Sequence, residues 1–405
     1  MRCDGMAMER WFMEHAAAAH NFAESGVPDF TLKGFLEKTG VSFAALGAMS
    51  LGNNDTRGSA ALREDIAGLY GCVGPDDILV GNGTSELLYI FSNLFLGEDR
   101  CVEEKRRMEK KGRMKKKGHM KKKGRMEKKR RVLVLFPAFP PLYLLPEALG
   151  ADVDCFDLLD FEARAAMVTA LAARVRATRP DLVIVNTPHN PTGCCLSDEE
   201  IVALGRAAQE AGSVLLFDEH YRFLPLGEGR RPFVSGYDLV RPFYERVFAV
   251  GSMIKCCGMV GTRIGWLIGA ADVIGRARDY KDFTTHCVPF FNEEISRIAI
   301  RNLERLTGDF IAAIRKNWAV LKAHPMTVAG TIELNYEVEG GCVCFPRLGA
   351  SESLRCARKL VEDFGVSVLP GEVFRKKGYL RINLARPPDA FGYLLSCLER
   401  VLREG

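Results

Sequence analysis

The residues whose types and spacing most directly suggest chemistry lie at 251–265, Gly-Ser-Met-Ile-Lys-Cys-Cys-Gly-Met-Val-Gly-Thr-Arg-Ile-Gly. Lys255 supplies an amine able to form an imine with an aldehyde. Ser252 before it and Arg263 after it supply a hydroxyl and a guanidinium, the groups that hold a phosphate. A phosphorylated aldehyde cofactor needs that set. In a chain with 56 Lys and Arg among 405 residues such a spacing also arises by chance. Its weight therefore rests on companion groups elsewhere.

Four stretches offer companions. Gly81-Asn82-Gly83-Thr84-Ser85-Glu86 follows the apolar run Ile78–Val80 and opens a helix expected over Leu87–Leu96. Its glycines, Gly83 included, let backbone N–H groups approach an anion at a helix start, with Thr84 and Ser85 as further donors. An ordinary strand-to-helix turn explains that stretch equally well. Phe136-Pro137-Ala138-Phe139 sets Phe139 just past a strand, where its ring can stack on a flat heterocycle, although a lone Phe is more often core. Asn186-Thr187-Pro188-His189-Asn190-Pro191-Thr192-Gly193 is a rigid turn that aims Asn190 back over the strand ends, and a plain turn does not account for so specific an octet. In Phe217-Asp218-Glu219-His220-Tyr221, Asp218 can pair with a protonated pyridine nitrogen and Tyr221 can hydrogen-bond a phenolic ring oxygen. Asp218-Glu219 at a strand end also suits Mg²⁺ in Walker-type ATPases, but the chain has no GxxxxGK[ST] loop.

The elements that must position these groups follow from apolar periodicity. Short Val/Ile/Leu-rich runs at 78–80, 132–136, 182–186, 213–217, 246–250 and 264–268 alternate mostly with helical stretches. That predicts an α/β fold, a mainly parallel sheet sandwiched by helices, with ligands bound beyond the carboxyl ends of its strands. Residues 6–23 read as an amphipathic helix, Leu32–Lys38 as another, and Ser59 as the N-cap of a helix presenting Leu62, Ile66 and Leu69. Residues 292–323 read as one long helical region. Beyond it come strands near 332–336, 342–346 and 379–384 and helices near 352–364 and 389–403, a smaller α+β unit. The expected domains are 1–60 as an N-terminal arm and part of the small domain, 61–290 as the large domain, and 291–405 as a linking helix with the C-terminal small domain.

Composition excludes several classes. No apolar run approaches the roughly 20 residues that span a bilayer, and the charged start lacks the apolar centre of a secretory signal. Thirteen cysteines without a C-x-x-C pair fit reduced thiols in a cytoplasmic setting, and neither they nor the seven histidines fall at metal-ligand spacings. The net charge of +5 conceals an asymmetry: residues 103–131 hold 17 Lys and Arg against 4 Glu, so the rest of the chain is mildly acidic. Within that stretch the hexads MEKKGR, MKKKGH, MKKKGR and MEKKRR match neither helix nor strand period. They predict a disordered insert over 101–131. Non-specific binding to polyanions is the sharper alternative, and with no aromatic residue to stack on bases, sequence-specific nucleic-acid recognition is not expected.

Taken in order, these motifs resemble the fold-type I pyridoxal-phosphate enzymes of the class I/II aminotransferase family, in a histidinol-phosphate aminotransferase-like or capreomycidine synthase-like branch. The resemblance covers nearly the whole chain apart from the insert. It implies an aspartate aminotransferase-like, seven-stranded sheet and pyridoxal 5′-phosphate as cofactor. It implies Lys255 as the imine-forming and proton-shuttling amine, with Asp218 on the pyridine nitrogen and Asn190 and Tyr221 on the ring oxygen. The phosphate would be held by Gly83, Thr84, Ser85, Ser252 and Arg263, with Phe139 stacked on the ring. Tyr379-Leu380-Arg381-Ile382-Asn383 matches the strand whose arginine, Arg381, grips a substrate α-carboxylate, and Gly26 falls in the segment that covers the substrate. A small-molecule amino-acid substrate and a homodimer with its active site near the interface are implied with these. Departures from the family pattern are Asn53 or Asn54 where a tyrosine usually reaches the neighbouring subunit's phosphate, Ile254 in place of a second serine, and Cys256-Cys257 after the lysine. They leave the reaction open: an aminotransferase first, then a lyase or cyclase on the same scaffold, then a non-catalytic regulator.

Overall fold

A computed structural model of the chain describes residues 6–49, 52–97, 129–227, 233–349 and 352–404. Seven strands make the main sheet: β1 (Ile78–Asn82), β2 (Arg131–Phe136), β3 (Asp152–Asp157), β4 (Leu182–Asn186), β5 (Val214–Asp218), β6 (Val247–Gly251) and β7 (Ile264–Ile268). Their spatial order is β1-β7-β6-β5-β4-β2-β3. The pairs from β6 through β3 are parallel, and β7 runs antiparallel to both β1 and β6.

Side-chain alternation explains why the sheet is covered twice. Val80, Leu133, Leu135, Val183, Val185, Leu215 and Phe217 enter one core. Their neighbours Leu79, Val132, Val134, Leu182, Ile184, Val214 and Leu216 enter a second one on the opposite face. With both faces buried the strands read as unbroken apolar runs, and helices such as Arg164–Thr178 and Asp198–Ala211 occupy the connections.

β3 is absent from the sequence reading. It is an edge strand that pairs only with β2, and its aspartates at 152, 154 and 157 break the apolar signature. The helix expected over 6–23 is confined to Ala7–Glu14. His20–Asn21 instead pairs in parallel with Val366–Ser367, a long-range ladder that overrides the helix propensity of Ala16–Ala19. The helix after β1 begins at Gly83 rather than Leu87 and ends at Ser92, with a π turn over Asn93–Gly97. The long helical region is two helices, Phe290–Arg301 and Leu303–Ala323, interrupted at Asn302. Ser59 caps Ala60–Ala67 as expected, accepting from the N–H of Leu62 at 3.2 Å. The hexads and the reading of an insert over 101–128 fall outside the described residues; Arg131, placed in that insert, already opens β2. No helix among the described residues is long and apolar enough to cross a membrane.

Residues 21–27 form an arm lying over the main sheet's carboxyl end, and the C-terminal strand Leu380–Asn383 holds it there. The Asn383 amide donates to the carbonyls of Glu24 at 2.8 Å and Gly26 at 2.7 Å, and Arg386 Nε donates to Asn21 O at 2.8 Å. Val27 N–H donates to Lys255 O at 2.9 Å, tying the arm to the lysine loop. Asn383 is fully buried, so Asn383→Ala leaves two carbonyls short of donors. The expected result is a loss of about 2–3 kcal/mol in denaturant unfolding, with faster proteolysis within residues 21–28.

Candidate active site

The carboxyl ends of the parallel strands deliver the polar motifs to one level. Asn186 ends β4, Asp218 ends β5 and Gly251 ends β6. Around them lies a cleft of about 140 Å³ whose wall includes Thr84, Ser85, Phe139, Asn190, Asp218, Tyr221, Lys255 and Arg263. The sequence-derived set therefore converges. Four of its members stand just outside the cleft wall: Gly83, Ser252, Arg381 and Gly26.

Asp218 is 4% exposed, and the one hydrogen bond to its carboxyl among the described residues is accepted from the His220 N–H at 3.2 Å. Burial lifts its carboxyl to about pH 7, and the neighbouring Glu219 adds to the rise. A buried carboxyl on which no cation acts is the complement of a protonated heterocyclic nitrogen. Lys255 has the opposite problem. Burial first, then the Arg381 charge, lowers its amine below the ordinary lysine value, and no hydrogen bond engages Nζ among the described residues. That is the condition of an amine able to act as a nucleophile.

The anion cup depends on two unusual backbone positions. Gly83 has φ +75°, and a Cβ there would sit 2.7 Å from Arg263 Nη2. Arg263 is itself left-handed at φ 53°, at the end of the turn Val260–Thr262. A Cβ at Gly265 would lie 2.7 Å from the Thr84 amide nitrogen. Two glycines thus clear space for a guanidinium beside the first turn of a helix, a cradle suited to a phosphate. Ser252 is not part of its surface: fully buried, its hydroxyl donates to Ile264 O at 2.6 Å and accepts from Ile254 N–H at 3.2 Å, bracing the lysine turn. Phe139 is half-buried at the cleft wall.

Asn190 is set by Asn186, whose Oδ1 accepts from the Asn190 N–H at 2.6 Å and whose amide donates to Asp218 O at 2.8 Å. Behind Asn190 lies Arg381, fully buried. Arg381 donates to Asn190 Oδ1 at 3.1 Å and to Ala23 O at 2.6 Å, while its Nε has no partner among the described residues. Burial lowers its guanidinium to about 10. The Tyr221 hydroxyl donates to Ser25 O at 2.9 Å, and burial holds its pKa well above the usual phenol value. Gly26 packs against the lysine: a Cβ there would stand 3.1 Å from Lys255 Cδ.

His220 was not singled out from the sequence. Its Nδ1 lies 3.3 Å from Thr84 Oγ1 and its Nε2 has no partner among the described residues. Burial, then Lys255 and Arg263, pushes its pKa down to about 3, so the imidazole is neutral. Also unforeseen are Asn186 as the brace of Asn190, and Met8, Glu9 and Phe12, which bring the first helix to the cleft. The amphipathic character of their helix was visible in the sequence; the fold-back that carries it here was not.

This architecture and this set of side chains define a pyridoxal-phosphate-type site of the fold-type I class. Residues 124–396, more than half of the chain, match the family described as aminotransferase class I and II, and the chain belongs to that family, which is pyridoxal-phosphate-dependent. Among proteins of known function it is 28% identical over 262 residues to capreomycidine synthase from Streptomyces vinaceus, a match covering 63% of this chain and 64% of that protein. The chain spans less than two thirds of the length of the first curated relatives it matches. Two solved structures share the fold. A pyridoxal-phosphate-dependent aminotransferase from Streptococcus suis has a TM-score of 0.80 at 23% identity, covering 100% of this chain and 99% of that one. The pyridoxal-phosphate-dependent cyclase OrfR has a TM-score of 0.82 at 22% identity, covering 100% and 98%.

The raised pKa of Asp218 has a signed consequence for the cofactor-free protein. With a folded value of about 7 against an ordinary 3.8, the folded state holds a proton that the unfolded chain releases. Stability therefore falls as pH rises from about 4 to about 7 and stays low above that. Asp218→Asn removes the charge that burial penalises and keeps an acceptor for the His220 N–H. Cofactor-free Asp218→Asn is expected to gain on the order of a few kcal/mol over the parent at pH 8 and little at pH 4, read by thermal unfolding at both values.

Proposed function

We propose that the protein is an aminotransferase acting on an L-amino acid, with pyridoxal 5′-phosphate held in this cleft. The observation that carries the reading is one cleft bearing a buried amine of lowered pKa at Lys255, a buried carboxyl without a cationic partner at Asp218 and, at its edge, the Gly83–Thr84–Arg263 cradle. These residues fit the cofactor: Arg263, Thr84 and Ser85 for the phosphate, Asp218 for the ring nitrogen, Asn190 and Tyr221 for the ring oxygen, Phe139 for the ring face. When bound, the cofactor supplies an electron sink that acidifies the substrate Cα–H.

The chain's own residues do the rest. Lys255 Nζ, whose pKa burial lowers, takes the Cα proton and returns it on the other side of the transfer. Arg381 orients the substrate through its α-carboxylate, which would replace the carbonyl of Ala23 as its partner and satisfy Nε. Tyr221 and Asn190 hold the ring oxygen in one protonation state. The arm at 21–27, with Gly26 against Lys255, excludes water from the reacting atoms. The working form in this reading is a homodimer with the cleft near the subunit boundary, consistent with the nearly fully exposed Phe283.

A second reading has its own support, the likeness to capreomycidine synthase and to a cyclase fold. Here the same residues would serve loss of a side-chain group or ring closure. Incubation with a panel of amino acids and no keto acid separates the two. An aminotransferase converts the bound cofactor to its amine form once per site, whereas a lyase or cyclase turns over and leaves it in the aldehyde form.

Borohydride treatment of protein loaded with pyridoxal phosphate is expected to fix the cofactor on the peptide containing Lys255. Failure to label that peptide would sink both readings. Lys255→Ala should lower turnover by about 10⁴-fold. Arg381→Lys, which loses the planar fork, should lower kcat/KM for the amino acid by about a hundredfold, measured by steady-state kinetics.

A further inference from the structure

One charge on the cleft wall has no task in the proposed reaction. With His220 neutral, the charged or chargeable side chains lining the cleft are Glu9, Asp218, Lys255 and Arg263. Asp218 is taken by the ring nitrogen, Lys255 by the imine and proton transfer, and Arg263 by the phosphate. Glu9 is left over. It stands in the first turn of the helix Ala7–Glu14, exposed to solvent, and has no hydrogen bond or ion pair among the described residues. Met8, Phe12 and Ile254 supply apolar surface on the same wall.

The cations near the cleft leave nothing for an acidic substrate side chain. Arg381 is assigned to the α-carboxylate. Arg386 donates to Asn21 O at 2.8 Å and Gly26 O at 3.3 Å and lies 3.7 Å from Glu24, and neither it nor Arg10 lines the cleft. The charges of Glu24 and Glu9 both reach Arg381, raising its pKa against the effect of burial. The grip for an α-carboxylate and the carboxylate of Glu9 are therefore close enough for one amino acid to touch both. A methylene stem would cover the apolar surface of Met8 and Phe12, and a cation at its tip would meet Glu9 at the open edge. A neutral aliphatic side chain would leave Glu9 unused, and an acidic one would be repelled.

We propose that Glu9 is a specificity-determining residue and that the substrate is an amino acid whose side chain is an apolar stem ending in a cation, the class of lysine, ornithine and arginine. The inference rests on the proposed function, because it takes the cofactor and α-carboxylate positions from that reading. It holds equally for an aminotransferase and for a lyase or cyclase, since Glu9 touches the side chain and takes no part in the bond changes.

The test reads binding rather than turnover. The cofactor-free full chain is titrated by calorimetry with three stable conjugates, in which pyridoxal phosphate is joined by a reduced bond to the α-amine of lysine, norleucine or glutamate. The lysine conjugate should bind about fivefold more tightly than the norleucine conjugate, the scale of an ion pair at an exposed edge, and added salt should narrow the gap. Glu9→Gln should bring the two to parity, and Glu9→Lys should favour the glutamate conjugate over the lysine one. Both substitutions are at an exposed position, and thermal unfolding checks that each variant is folded. If none of the three conjugates binds, the cofactor site itself is refuted and this inference goes with it. If all bind but the parent does not prefer lysine, or prefers glutamate, the inference fails while the cofactor site stands. A lysine preference that survives in Glu9→Gln also overturns it. So does an effect on unfolding alone, which would make Glu9 no more than a favourable acid at a helix start.

Discussion

A buried cation sets the terms for the rest of the site. Arg381 is fully enclosed and must spend its donors on protein oxygens, because an unsatisfied guanidinium in a low-dielectric interior is strongly destabilising. Two of those oxygens come from segments far apart in sequence: Ala23 O on the arm and Asn190 Oδ1 on the turn after β4. The arm is therefore drawn inward at the Ala23 carbonyl, and the turn must present the Asn190 side chain rather than its backbone. Asn186 makes that presentation possible by holding both the Asn190 N–H and the Asp218 carbonyl. One charge thus couples the C-terminal strand, the arm and two adjacent strand ends.

The electrostatics of the cleft follow from the same enclosure. Burial, then Arg381, lowers the pKa of Lys255, and burial, then Lys255 and Arg263, lowers that of His220. Asp218 keeps its proton up to about pH 7 because nothing cationic reaches it. The protein alone is a set of groups held away from their preferred charge states. A ligand offering a cation to Asp218 and anions to Arg263 and Arg381 would relieve all of them, which is a thermodynamic reason for tight binding.

Much of this was legible in the sequence, and the boundary is physical. Strands buried on both faces announce themselves as apolar runs, and six of the seven sheet strands fell within a residue or two of where the runs lie. β3 escaped because an edge strand has one neighbour and tolerates aspartates. Lys255, Asp218 and Asn190 were readable because each follows a strand directly, so local sequence fixes where it points. Ser252 was not, since whether its hydroxyl faces the cleft or Ile264 O is decided by the packing of the turn. The stretch leading into the arm was misread as continuous helix because the partner of His20–Asn21, Val366–Ser367, lies more than 300 residues downstream. His220 was not readable because its contact with Thr84, 136 residues earlier in the chain, exists only in the folded sheet.

The contact between Gly83 and Arg263 constrains how such a protein can vary. The missing Cβ at 83 is the space the guanidinium fills, and the left-handed backbone at 263 directs it there. Neither position can drift alone. A side chain at 83 evicts the arginine, and loss of the arginine leaves the left-handed glycine with nothing to accommodate. The two residues, 180 positions apart, form a single epistatic unit whose changes are not additive, so descendants that abandon one should be found to have abandoned both.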